Sequence, residues 1–225
     1  RVLVLAGLPL VLLGLAVLVR VFAGGDDAIS AAVVLVFGLG TVTPLLGLIA
    51  GTGSIGPEIG DGSIIYLLAK PLRRGSIVAS KLVTASIVAM LFAALPTYAA
   101  GVILTGDFAG LAWAAAIGSA IAAVVYCALF LLLAIITRNA VVVGLLYALV
   151  WESLLGQFLP GAQQLSVQQW ALSVSERVLG TDASSFNVHA AVDLSTGVIM
   201  LVVVVTLASW QATVRLRRLR LSNEE

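Results

Sequence analysis

The residues of this chain that could do chemistry are few, and most lie in one stretch, GTGSIGPEIGDGSIIYLLAKPLRRGS, beginning at Gly51. Gly51 and Gly56 have the spacing that opens a phosphate-binding loop, but Pro57 and Glu58 stand where that loop needs lysine and a hydroxyl residue. Nothing here could hold a phosphate or magnesium. Gly51–Gly56 therefore reads as a flexible loop, and the chain as one that does not hydrolyse ATP itself. Pro57 suits the first turn of a helix, and Glu58 and Asp61 would lie near its positive dipole end. Ile64, Leu67 and Leu68 would share one side, Lys70 falls near the end, and Pro71 stops the helix. Arg73, Arg74 and Lys81 follow. The expected product is a short helix, acidic at its start and basic at its end. It could be a surface anchor on anionic headgroups or a contact for a partner.

Elsewhere Glu152, next to Trp151, is the one acid inside an apolar run. An acid in lipid is expensive, which suggests a pathway or gating role; pairing with another helix or reaching the headgroups is the equal alternative. Proton relay is disfavoured, because no second acid, histidine or lysine accompanies Glu152 in an apolar run. His189 stands alone, without partners for a metal or for catalysis. Ser54 in its glycine-rich loop has no histidine on the same side, so a membrane protease is not supported. Cys127, the single cysteine, excludes disulfides and cysteine metal clusters. No catalytic or metal-binding set is expected.

The elements that must carry these residues follow from composition. Of 225 residues 61% are hydrophobic and 10% charged, and mean hydropathy is +1.15. A soluble domain is about half apolar and a quarter charged, so the excess belongs in a bilayer. A net charge of +1 gives no footprint for nucleic acid. Six stretches approach the roughly 20 apolar residues that cross the hydrocarbon core: 2–23, 28–50, 82–104, 111–136, 140–159 and 194–214. Continuous rather than alternating apolar runs exclude a β-barrel. The first stretch is too long for a signal-peptide core and lacks a small-residue cleavage site. The fold class is all-α: one polytopic membrane domain over residues 1–225, with six transmembrane helices, a cytoplasmic loop at 51–81 and an extracellular loop at 160–193. No internal repeat or second domain is visible.

Ten of the twelve basic residues fall on one side of this arrangement. By the positive-inside rule both termini are cytoplasmic, in the cell membrane. Arg20 can snorkel from its helix end to the outer headgroups. In the outer loop, Ser166-Val-Gln-Gln169 is a capping-box pattern and Gly180 a stop. Val167, Trp170, Val174 and Val178 would share one face, opposite Gln168 and Arg177. The result is an extracellular amphipathic helix, either a packing lid or a gate. Gly47 and Gly51 could permit close helix packing. The basic tail Arg215-Leu-Arg-Arg-Leu-Arg suits anionic lipid.

The string from Glu58 to Arg74, EIGDGSIIYLLAKPLRR, resembles the first cytoplasmic loop of ATP-binding-cassette (ABC) permeases of the type-2 exporter class. There an acid, a DG-S/T turn, YLL and KPxxR recur in this order. LYALVWESLLG from Leu146, with Pro160-Gly and Leu165-Ser-Val, resembles the fifth span and outer loop of the same permeases. The resemblance implies that the cytoplasmic helix is a coupling helix in a groove of a soluble ABC ATPase subunit, with Glu58, Asp61, Tyr66, Leu67, Leu68, Lys70 and Arg74 forming or flanking the contact. It implies a second permease subunit, identical or related, and ATP and magnesium bound by the ATPase rather than by this chain. Gly60 and Gly62 depart from a strong helix start, each costing about 1 kcal/mol against alanine in a helix interior. The family's amphipathic elbow would lie before Arg1, so an upstream segment is expected. The alternatives are an ATPase-independent secondary transporter or channel with Glu152 as coupling acid, and a membrane scaffold that moves nothing.

Overall fold

A computed structural model describes residues 2–24, 26–60, 74–156 and 159–218. All regular structure among them is helical. Helix α1 spans Val2–Ala23. A turn at Gly24 leads to Asp26, whose carboxylate accepts from the N–H groups of Ala28 and Ile29 and so caps α2. Helix α2 is composite: α-helical at Asp27–Ala31, π-helical at Ala32–Val42 and α-helical again at Thr43–Gly60. Then come α3 (Arg74–Thr105) and α4 (Leu111–Ile136). Helix α5 is α-helical at Ala140–Leu146 and π-helical at Tyr147–Leu155. The short α6 (Pro160–Gln163), α7 (Val167–Leu179) with a 3-10 turn at Gly180–Ala183, and α8 (Leu194–Arg218) complete the chain.

Five helices, α1, α2, α3, α4 and α8, are long and apolar enough to cross a bilayer. The expected fifth span is shorter: α5 covers Ala140–Leu155, against the roughly 20 residues of a full crossing. Helix α4 is the centre of the bundle, packing on α2, α3, α7 and α8. Its buried face is largely alanine, including Ala112, Ala115, Ala122 and Ala123, which brings backbones together where lipid offers no hydrophobic drive between helices. Gly47 and Gly51 of α2 serve this packing. A β-carbon at Gly51 would lie 2.9 Å from the Cys127 carbonyl, and one at Gly47 would meet the Tyr126 side chain. Outward, Phe22, Trp113, Val142 and Trp210 are exposed, an arrangement unsuited to water and suited to hydrocarbon.

The helices define two poles. At one, Arg20 Nη1 donates to the Leu104 carbonyl over 2.7 Å, using the cation to satisfy the exposed end of α3. At the other, Ile55, Val78, Leu131, Ala212 and Leu216 form a small core of their own. That core explains the main departure from expectation. Residues 51–60 are not a flexible loop but the last turns of α2, which runs through Pro57 to Gly60. Burial of Ile55 against α3, α4 and α8 outweighs the weak helix propensity of four glycines and a proline. Helix α3 likewise begins at Arg74 rather than 82. Of the expected segment 51–81, residues 51–60 and 74–81 are thus helical, and residues 61–73 lie outside the described residues.

Candidate functional site

The end of α2 at Gly60 and the start of α3 at Arg74 flank residues 61–73 in the sequence. Glu58 lies in the last turn of α2, not the first turn of a new helix as the Pro57 signal suggested. A carboxylate at a helix C-terminus opposes the dipole. Lys81, on α3, compensates by an ion pair with Glu58 Oε1. The two side chains are 32% and 26% exposed, so the pair adds little stability in itself. Its consequence is positional: it links the last turn of α2 to a residue about two turns into α3. Arg74 is the first residue of α3. Of the sequence candidates, the structure therefore places Glu58 and Arg74 at the ends of α2 and α3; Asp61, Tyr66, Leu67, Leu68 and Lys70 lie outside the described residues. Lys81 is legible in the sequence only as one of the basic residues that follow Pro71, not as the partner of Glu58. Its partner is 23 positions away, and only the run of α2 through Pro57 brings them together.

Glu152 sits toward the opposite pole and is fully buried. Both carboxylate oxygens are engaged. Oε1 accepts from the Tyr147 hydroxyl at 2.8 Å and the Val167 N–H at 3.1 Å. Oε2 accepts from the Ser166 hydroxyl at 2.6 Å and the Gln168 N–H at 3.3 Å. The π-helical winding of α5, which pairs i with i+5, sets Tyr147 and Glu152 on one face. The other three donors belong to the start of α7, where the first N–H groups of a helix have no intrahelical partner. Ser166, the expected cap, accepts from Gln169 N–H while donating to Glu152. A buried negative charge thus meets a positive helix end and a complete set of donors, the condition under which burial of a charge is tolerated.

Helix α7 is tied down along its length. The Ser175 hydroxyl donates to the Ala114 carbonyl at 2.9 Å, and its oxygen occupies the space a β-carbon on Gly118 would need. Ser173 fits against Gly197 of α8 in the same way. The Gln168 side chain lies over Gly40, in the π-helical part of α2. The expected apolar face holds at Val167 and Trp170, which are buried, and Arg177 is exposed as expected, but the face is corrected at two other positions. Gln168, Ser173 and Ser175 are buried, whereas Val178 is 42% exposed. Small hydroxyl side chains can approach glycine backbones more closely than valines can, and that approach decides the orientation. His189, expected to stand alone, has Nδ1 3.8 Å from Glu176 Oε1. The glycines at 118 and 197 were visible in the sequence, but their contacts were not, because each partner lies on another helix.

The family model described as "ABC-2 family transporter protein" matches residues 30–218. The chain belongs to the ABC-2 transporter family. The match runs from the first turns of α2 to the end of α8 and includes both sites above. This permease is accordingly a multi-pass membrane component of an ABC transporter, of a kind that lacks an ATPase domain of its own and associates with an ABC ATPase. Comparison of the permease with curated proteins gives no match.

Proposed function

We propose that this permease is the membrane subunit of an exporter, moving its substrate with energy from ATP hydrolysed, with magnesium, on separate ATPase subunits. The family match over residues 30–218 carries the reading. Two permeases, identical or related, pair with two ATPases in a lipid bilayer. The segment 61–73 is the coupling element: Asp61, Tyr66, Leu67, Leu68 and Lys70 meet the ATPase, and Glu58 and Arg74 flank them. The Glu58–Lys81 ion pair supports this assignment, because it links the last turn of α2 to α3, so that a motion delivered to the segment reaches both helices together. The excess of basic residues near the pole that carries this loop supports cytoplasmic termini.

A carrier that works without an ATPase and uses Glu152 as its coupling acid draws no support from that residue's surroundings. Four donors occupy the two oxygens, which favours a positioning role. The deciding experiment is purification of the permease from its native membrane. A soluble ABC ATPase should accompany it, and changing Tyr66, Leu67 and Leu68 together to alanine should release the ATPase while the permease remains folded. Undiminished assembly and ATP-driven flux in that variant would refute the coupling assignment.

A further inference from the structure

A cleft of about 380 Å³ opens between the first turns of α2, the start of α7 and the segment around Asn187. Its walls differ in chemistry. One is hydrocarbon, a stripe of Ala28, Ala32, Leu35 and Val36 at helical spacing on α2. The other sets the amides of Gln163, Gln168, Gln169 and Asn187 and the His189 imidazole among apolar side chains such as Phe186. No Asp, Glu, Lys or Arg lines it among the described residues.

Gln168 is the group whose needs the protein leaves open. It is 2% exposed, its Nε2 reaches the Leu35 carbonyl only at 3.5 Å, and its Oε1 has no donor. A buried amide in that condition carries a desolvation cost that an incoming donor removes. Its backbone is not free to move away, because its N–H is held by Glu152 and its side chain lies against Gly40. The amide is thus held beside a hydrocarbon wall, with acceptor capacity unused.

We propose that this cleft binds an uncharged amphiphile with a hydroxyl-bearing headgroup, its hydrocarbon along the Ala28–Val36 stripe and a hydroxyl donated to Gln168. An anionic headgroup is disfavoured because the lining offers no fixed positive charge. The site stands apart from the coupling assignment, since it requires neither ATP nor a partner subunit.

The test uses the full-length permease in phosphatidylcholine nanodiscs containing either glucosyl diacylglycerol or phosphatidylglycerol, with retained lipid read by native mass spectrometry. Glucosyl diacylglycerol should be retained in preference, and Gln168→Leu should reduce that preference about fivefold, the scale of one hydrogen bond. Ala32→Phe, at an exposed position on the cleft wall, should block the site without touching the amides, so the test survives if Gln168→Leu does not fold. Equal retention of the two lipids by the wild type, or an undiminished preference in Ala32→Phe, would overturn the proposal.

Discussion

The Ser166 hydroxyl donates to Glu152 Oε2 over 2.6 Å, joining the π-helical end of α5 to the first turn of α7. Glu152 is thus a cap for a helix that begins about 14 residues further along the chain. Its removal leaves two hydroxyls and two N–H groups without their acceptor. Glu152→Ala should cost about 3 kcal/mol or more, because each buried unsatisfied donor costs about 1–3 kcal/mol. Glu152→Gln, which keeps one acceptor oxygen, should cost less. Thermal unfolding of the two variants in the same detergent measures both; an unchanged midpoint for Glu152→Ala would show that the cap is not needed.

The contact between Gly118 and Ser175 predicts a non-additive pair. Gly118→Ala places a methyl group where the Ser175 hydroxyl sits, an overpacking expected to cost about 1–3 kcal/mol. Ser175→Ala removes the clashing oxygen, together with its bond to the Ala114 carbonyl. The double variant should therefore be more stable than the sum of the single effects predicts. Simple additivity would mean that the helices separate rather than clash.

For Glu58 and Lys81 the expected signature is functional. Partial exposure limits the pair to about 1 kcal/mol or less, so Glu58→Lys should hardly lower the unfolding midpoint. It should nevertheless lower ATP-driven transport, because it drives the last turn of α2 away from α3. Adding Lys81→Glu should restore transport. Should the swap fail to recover activity, the pair would not be what links the two helices.

The short α5 makes its crossing worth testing directly. Asn139 and Ser184 are both exposed. In a Cys127→Ala background, cysteine at 139 should react with an impermeant maleimide from the cytoplasmic side, and cysteine at 184 from the outside. Labelling of both from one side would rule out the six-crossing arrangement.

Composition and hydropathy were enough to establish an all-helical membrane protein, because the bilayer leaves continuous apolar runs few structures other than helices. They were enough, too, for local signals whose partners are near in sequence: α4 at Leu111–Ile136, the Ser166 cap and the Gly180 stop. The resemblance of residues 58–74 to type-2 permeases was legible for the same reason, being a contiguous string. Where partners lie far apart, only the tertiary structure decided. Pro57 and its neighbouring glycines signal a break, yet Ile55 has a pocket among three other helices, and its burial carries α2 through to Gly60. The valines of α7 signal one buried face, which holds at Val167, yet Gly118 and Gly197 offer backbone close enough for Ser175 and Ser173, and Val178 is left exposed. Glu152 could be singled out from the sequence but not given a role, since three of its four donors belong to the start of another helix. Local propensities are worth tenths of a kcal/mol to about one, whereas burying a large apolar side chain is worth about 1.5–3 kcal/mol and leaving a buried charge without its partners costs about 3–5. Where the two conflict, the long-range contact prevails.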